Sequence, residues 1–287
     1  MRSIVLTRRI RHYVIVCAAA SFLAVCGCTD LGEVTQFAKA SQDVGKTFSA
    51  MADGAKTSCN RANSFINAEN NIPPLNCEFY DQVNPSLLKV NDALFNYIAS
   101  LGALAADDLS KVPGGFDNLS ADLKKADPNI STANQTIATA ASGLAKAITN
   151  IWASGYRKEK LSKIVGDSNN GVQEVTAFLS DYAADKFLQT FNEEERRELS
   201  YCDLMKSPTA EPLATDLLAR KCAADKAHIE TQKAAVKKYQ DALKTIAESH
   251  NKLNEQRGNW NAAQLSKDLI PGIVDLGNGA VSINSAF

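Results

Sequence analysis

The residues with the most reactive side chains in this chain are its cysteines. Cys59, Cys77, Cys202 and Cys222 stand in two close pairs. Each pair straddles a proline-containing turn, Pro73-Pro74 in the first case and Pro208 with Pro212 in the second. Four thiols can hold a metal or form two bridges. Zinc sites favour CxxC-type spacing with histidine support, whereas this chain has no CxxC and only His228 and His250 within reach of that role. The four therefore read as disulfides, and of the three possible connectivities the spacing favours Cys59–Cys77 and Cys202–Cys222. No cofactor or metal is expected.

Other short motifs look chemical until their context is read. Ala40 to Thr47 (ASQDVGKT) fits a relaxed phosphate-binding-loop pattern, which needs a strand before it and glycines that expose backbone N–H groups. Here it lies inside a helical seam, with Val44 and Phe48 as core positions and Ala where the first Gly belongs. Gly166-Asp167-Ser168 resembles the nucleophile block of one esterase family, but no strand precedes it, and a polar break in a helix is the simpler reading. Ser86-Leu-Leu-Lys89 matches the SxxK of serine acyl enzymes, yet follows Pro85 in the first turn of an expected helix. His250 falls on an apolar seam and reads as a packed residue; His228 is expected to face solvent. Glu193-Glu194-Glu195-Arg196-Arg197-Glu198 offers i,i+4 pairs such as Glu193–Arg197 and reads as a solvated face. None of these sets completes a catalytic constellation, so the chain reads as non-enzymatic.

The N-terminus carries a stronger signal. Arg2, Arg8, Arg9 and Arg11 precede an apolar run of about 13 residues, Tyr13 to Val25, with no acidic residue before Asp30. A spanning helix needs roughly 20, so this run is a targeting signal. Val25-Cys26-Gly27-Cys28 then resembles the lipobox of bacterial lipoproteins, with small Gly27 directly before the modified cysteine. That resemblance, which covers only residues 1–30, implies cleavage after Gly27, lipidation of Cys28, and departure of Cys17 and Cys26 with the signal. Thr29, where an Asp would mark inner-membrane retention, favours the outer membrane. The periplasm that this route implies is oxidising, in keeping with two disulfides. Loss of four arginines with the signal leaves 27 basic against 32 acidic residues, a net of −5. No basic block remains to favour nucleic acid.

These residues need a scaffold, and helical periodicity supplies it throughout. Val34, Phe37, Ser41, Val44, Phe48, Met51, Ala55, Ser58, Ala62 and Phe65 repeat at spacings of 3 and 4, a coiled-coil-like seam. Pro73-Pro74 is expected to close that helix. A second should start with Asn84 as cap and Pro85 at its first position, run through Leu87, Leu94, Ile98, Leu101 and Ala105, and end at Pro113-Gly114-Gly115. A short piece (Phe116, Leu119, Leu123) and a third seam from Asp127-Pro128 through Ile130, Ile137, Ala141, Leu144, Ile148 and Ile151 follow. Gly166 to Gly171 is a candidate break, after which Val172, Val175, Leu179, Tyr182 and Lys186 continue the pattern. Ile229, Val236, Leu243, Ile246, His250 and Leu253 form the fifth seam. The tail, Ala262 to Phe287, should hold one more short helix, with Pro271 near its start. No alternating β pattern of useful length is present.

The expected fold is all-α: an elongated antiparallel bundle of about five long helices plus short ones, stapled by two disulfides. Residues 1–27 would be the signal, 28–33 a lipidated tether and 34–287 the bundle. The expected role is a structural or protein-interaction module on the periplasmic face of the outer membrane, with a protein partner or self-association. A small-ligand or inhibitor-type protein using an interhelical cleft is the alternative.

Overall fold

A computed structural model describes residues 31–65, 73–108, 110, 132–154, 158–204, 211–258 and 260–287. All of the regular structure among them is helical: α1 (Gly32–Gly45), α2 (Phe48–Ser64), α3 (Glu78–Ala105), α4 (Thr132–Ser154), α5 (Lys158–Tyr182), a π-helical segment (Ala183–Leu188), α6 (Gln189–Leu204), α7 (Pro212–Glu255) and α8 (Ala262–Asn284). The fold class read from periodicity is thus the observed one.

Six helices close a circuit around one core: α1 packs on α3, α3 on α4, α4 on α5, α5 on α7, α7 on α8, and α8 back on α1. At one end α2, the π segment and α6 extend the packing along α7. The seam residues are where burial is deepest. Phe37, Val44, Met51, Ala55, Leu94, Ile98, Leu101, Val236, Leu243 and Ile246 are all 0% exposed. Phe48 stacks obliquely on Phe187 (5.9 Å) and Tyr239 (5.5 Å), joining α2, the π segment and α7 at mid-bundle. Small residues let backbones approach. A Cβ on Gly102 would lie 2.4 Å from the Ala38 methyl, and one on Gly45 2.4 Å from the Phe95 ring, so both positions exclude any larger residue.

Several boundaries differ from those read in the sequence, each for a physical reason. The long first seam is interrupted at Lys46-Thr47 and ends at Ser64, before Pro73-Pro74. α3 begins at Glu78, so Asn84 and Pro85 are interior; the Cys59–Cys77 bridge fixes the chain directly before Glu78 and starts the helix early. Pro85 is tolerated because it lies on the exposed face, where the carbonyl it leaves unpaired meets water. The helix stops at Ala105, ahead of Asp107 with its left-handed φ of 61°; Pro113 to Gly115, and the short piece with Phe116, Leu119 and Leu123, lie outside the described residues. So do Asp127, Pro128 and Ile130.

Gly166 to Gly171 is no break, for α5 runs straight through it. Gly171 admits Leu144 of α4 and Gly166 admits the Arg257 side chain. The tail is core rather than a short addition. Asn261 accepts hydrogen bonds from Ala263 N (2.9 Å) and Gln264 N (3.4 Å), capping a 23-residue α8. Pro271 therefore sits mid-helix, not in the first turn. It is again on the exposed side, while the adjacent Gly272 lets Ser249 and Thr245 of α7 come close. Leu269, Leu276 and Ile283 are fully buried.

Candidate functional site

The cysteines are placed as spacing suggested. Cys59 bonds Cys77 (Cα–Cα 5.7 Å) and Cys202 bonds Cys222 (6.3 Å). Cys28 lies outside the described residues. Among those residues no helix is long and apolar enough to cross a membrane.

The phosphate-loop-like stretch offers no anion cradle. Gly45 is buried with its carbonyl accepting from Asn91 Nδ2 (3.2 Å), Thr47 donates its hydroxyl to Val44 O (2.7 Å), and Lys46 pairs with Asp43 (2.8 Å). In the SxxK match, Lys89 is exposed and the Ser86 hydroxyl is turned inward without a hydrogen-bond partner. His228 is exposed. His250 is fully buried, and it organises a polar chain that sequence reading did not find. Tyr97 of α3 meets its Nε2 (2.9 Å), and its Nδ1 meets Asn169 Oδ1 of α5 (3.0 Å). Asn169 Nδ2 donates to Asn251 Oδ1 (3.2 Å). The donors alternate consistently if His250 carries its proton on Nδ1 and Tyr97 donates to Nε2. Burial drives the imidazole pKa down to about 3, so it is neutral across the working range. Asn251 Nδ2 donates in turn to Glu255 Oε1 (2.7 Å), so the chain runs from the core to an exposed carboxylate and ties α3, α5 and α7 in register. Ser168, next to Asn169, lines a cleft of about 600 Å³ between α4 and α5, together with Thr139, Lys146, Asn150 and Glu174. Asp167, beside it, pairs with Lys163 (2.5 Å).

The acidic-basic run of α6 is the clearest departure from expectation. It is not a solvated face: Glu194, Arg197 and Glu198 are 2%, 3% and 3% exposed. Arg61 of α2 grips Glu194 through both Nε and Nη2 and donates from Nη2 to Gln232 of α7 (3.1 Å). Arg197 donates to Glu193 (2.6 Å), the expected i,i+4 pair, and also reaches Asn63 Oδ1 (3.3 Å) and Pro73 O (3.0 Å). Lys233 bonds Glu195 (2.8 Å). Hydrogen bonds from Arg196 and then Arg197 hold the Glu193 carboxyl down at about 2. Burial, with Asp225 nearby, pushes Glu198 up to about 7. The run was misread because helical i,i+4 pairing explains its pattern equally well, and partners 130 residues away leave no local trace.

These contacts position a second cleft of about 550 Å³, between the start of α3 and the π segment, lined by Asn76, Phe79, Asp185, Gln189 and Glu193 among others. Its geometry depends on a shift of helix phase. Tyr182 and Lys186 were expected on the seam; Tyr182 does pack half-buried against the core, but the fully buried positions run Leu179, Ala183, Phe187, Phe191 at steps of four, and Lys186 is exposed. The π turn takes up the extra rotation that three steps of four demand. The Lys186 carbonyl accepts from Thr190 Oγ1 (2.8 Å) and Tyr80 Oη (3.4 Å), and Gln240 Nε2 donates to Ser180 O (3.1 Å).

No protein-family model matches the chain, and neither the curated proteins nor the solved structures compared with it give a match.

Proposed function

We propose that this protein is a lipoprotein held through Cys28 at the periplasmic face of the outer membrane, where it acts as a structural or protein-interaction module and not as an enzyme. The lipobox-like Val25 to Cys28, with Thr29 after it, supports the anchor and its address. An acyl anchor of more than one chain would be stable, since each buried methylene contributes about 0.8 kcal/mol.

The interaction half of the proposal rests on one observation, the arm formed where α6 gives way to α7. From Pro212 to His228 no residue of α7 is buried. Leu213 and Leu217, one turn apart, are 62% and 59% exposed. A helix of this length is marginal by itself in water. Here it is sustained by the buried half of α7 beyond Ile229, by the Cys202–Cys222 bridge, and by pairs such as Arg220–Asp216 (2.9 Å). A stapled helix with outward leucines suits a contact surface.

A photoreactive residue placed at Leu217 in cells should give a discrete cross-linked species, with none from the exposed control position Lys244. Equal yields at both, or none at Leu217, would contradict the interaction reading.

A further inference from the structure

We propose that the cleft between the start of α3 and the π segment is a saccharide-binding site, taking a chain of hexose or amino-sugar units. This inference depends neither on the lipid anchor nor on the arm.

The first observation is the lining. A half-buried aromatic ring, Phe79, stands with the side chains of Asn76, Asp185, Gln189 and Glu193. Sugars offer a C–H face that packs on aromatic rings and vicinal hydroxyls that both donate and accept. Amide and carboxylate groups match those hydroxyls because each presents two polar atoms in one plane. The site's charges do not select an ion. Glu193 is already satisfied by Arg196 (2.6 Å) and Arg197 (2.6 Å), and Lys186, which also lines the cleft, offsets the charge of Asp185. Near-neutrality disfavours a phosphate or a strongly cationic ligand and leaves a neutral polyhydroxylated one.

The second observation is the phase shift. On a regular helix Lys186 would point into the core, as its spacing after Val172, Val175 and Leu179 suggests. The π segment instead buries Ala183 and Phe187 and turns Asp185, Lys186 and Gln189 outward. Such insertions occur frequently at functional sites, and this one delivers the polar lining.

The third is the facing wall, which is firmly fixed although part of it faces solvent. Pro73 and Asn76 are exposed, yet the segment 73–77 is held at four points. Arg197 donates to Pro73 O (3.0 Å), Asn63 Nδ2 to Leu75 O (3.0 Å), Leu75 N to Asn63 Oδ1 (2.8 Å), and Cys77 is bonded to Cys59. Behind the lining, Tyr80 is tied to Thr190. A wall locked in place on both sides of exposed Asn76 is preorganised for a ligand, which lowers the ordering cost of binding.

Isothermal titration calorimetry of the disulfide-intact protein with chitotetraose and, separately, maltotetraose tests this. Saturable binding of at least one is expected, and the stronger binder distinguishes amino sugar from plain hexose. Phe79→Ala and Gln189→Ala should each weaken it by about tenfold with helix content unchanged. Thr139→Trp, which fills the α4–α5 cleft, should leave it unaffected. Should Phe79→Ala lose helix content, the exposed Gln189→Ala decides. Absence of saturable heat with both sugars, an unchanged affinity in Gln189→Ala, or abolition by Thr139→Trp would overturn the assignment.

Discussion

Acidification from about pH 7.5 to about pH 5 should destabilise the folded protein by about 2 kcal/mol through His250 alone. The imidazole is fully buried between Tyr97 and Asn169, and burial lowers its pKa from 6.5 to about 3. In the unfolded chain it takes up a proton as the pH falls through 6.5; in the folded chain it does not until near 3. The unfolded state thus binds more protons across that window, and stability is full above 6.5 and declines below it. Glu198 works in the opposite sense. Its folded pKa lies above 4.5, so its contribution grows as the pH falls and would mask His250 in the parent protein alone. Guanidinium unfolding of the parent and of His250→Gln at both pH values, disulfides intact, removes that masking. The parent should lose about 2 kcal/mol more than the variant between the two conditions, with matching denaturant slopes. Equal losses would show that the imidazole is not held neutral, and the buried chain as described would be wrong.

Further outcomes follow from the same packing. The two disulfides close loops of similar length, separations of 18 and 20, so chain entropy assigns each about 3 kcal/mol. Cys202→Ser/Cys222→Ser should nonetheless lower Tm less than Cys59→Ser/Cys77→Ser, because it frees an arm with no buried residue; limited proteolysis should instead accelerate between residues 199 and 228. Glu194→Ala should cost about 2 kcal/mol in chemical denaturation, less than the roughly 3–5 kcal/mol of a fully buried pair because Arg61 is 34% exposed and can reach water. Deleting residues 268–287 removes three fully buried side chains, Leu269, Leu276 and Ile283, and should abolish cooperative thermal unfolding by circular dichroism. An unchanged melt would return the tail to the status of a surface appendage.

The parts legible in the sequence are those governed by local rules. Val34 to Ala62 repeat at 3 and 4 because one helical stripe must face the core, and each of the seam residues named in that stretch is buried. The disulfides were legible because each joins cysteines close in sequence, 18 and 20 residues apart. What escaped was decided by distant partners. Asn84-Pro85 looks like a helix start, but the Cys59–Cys77 bridge moves that start to Glu78. Lys186 fits the seam until Phe187 is seen to fill the space beside Phe48. Glu194 and Arg197 sit in a run that reads as solvated, and only Arg61, Asn63 and Pro73 from the other end of the chain make them buried. The π-segment cleft was invisible for the same reason: its polar side chains come from the segment before α3 and from the π segment and α6, more than 100 residues away.

The central proposal, a helical module tethered at Cys28, is tested most directly by the intact mass of the protein extracted from membranes. The account predicts a chain of residues 28–287 with two disulfides, an acyl-modified N-terminal cysteine, and loss of membrane association in Cys28→Ser. An unmodified N-terminus, or Cys28→Ser still sedimenting with membranes while Cys26→Ser does not, would contradict it.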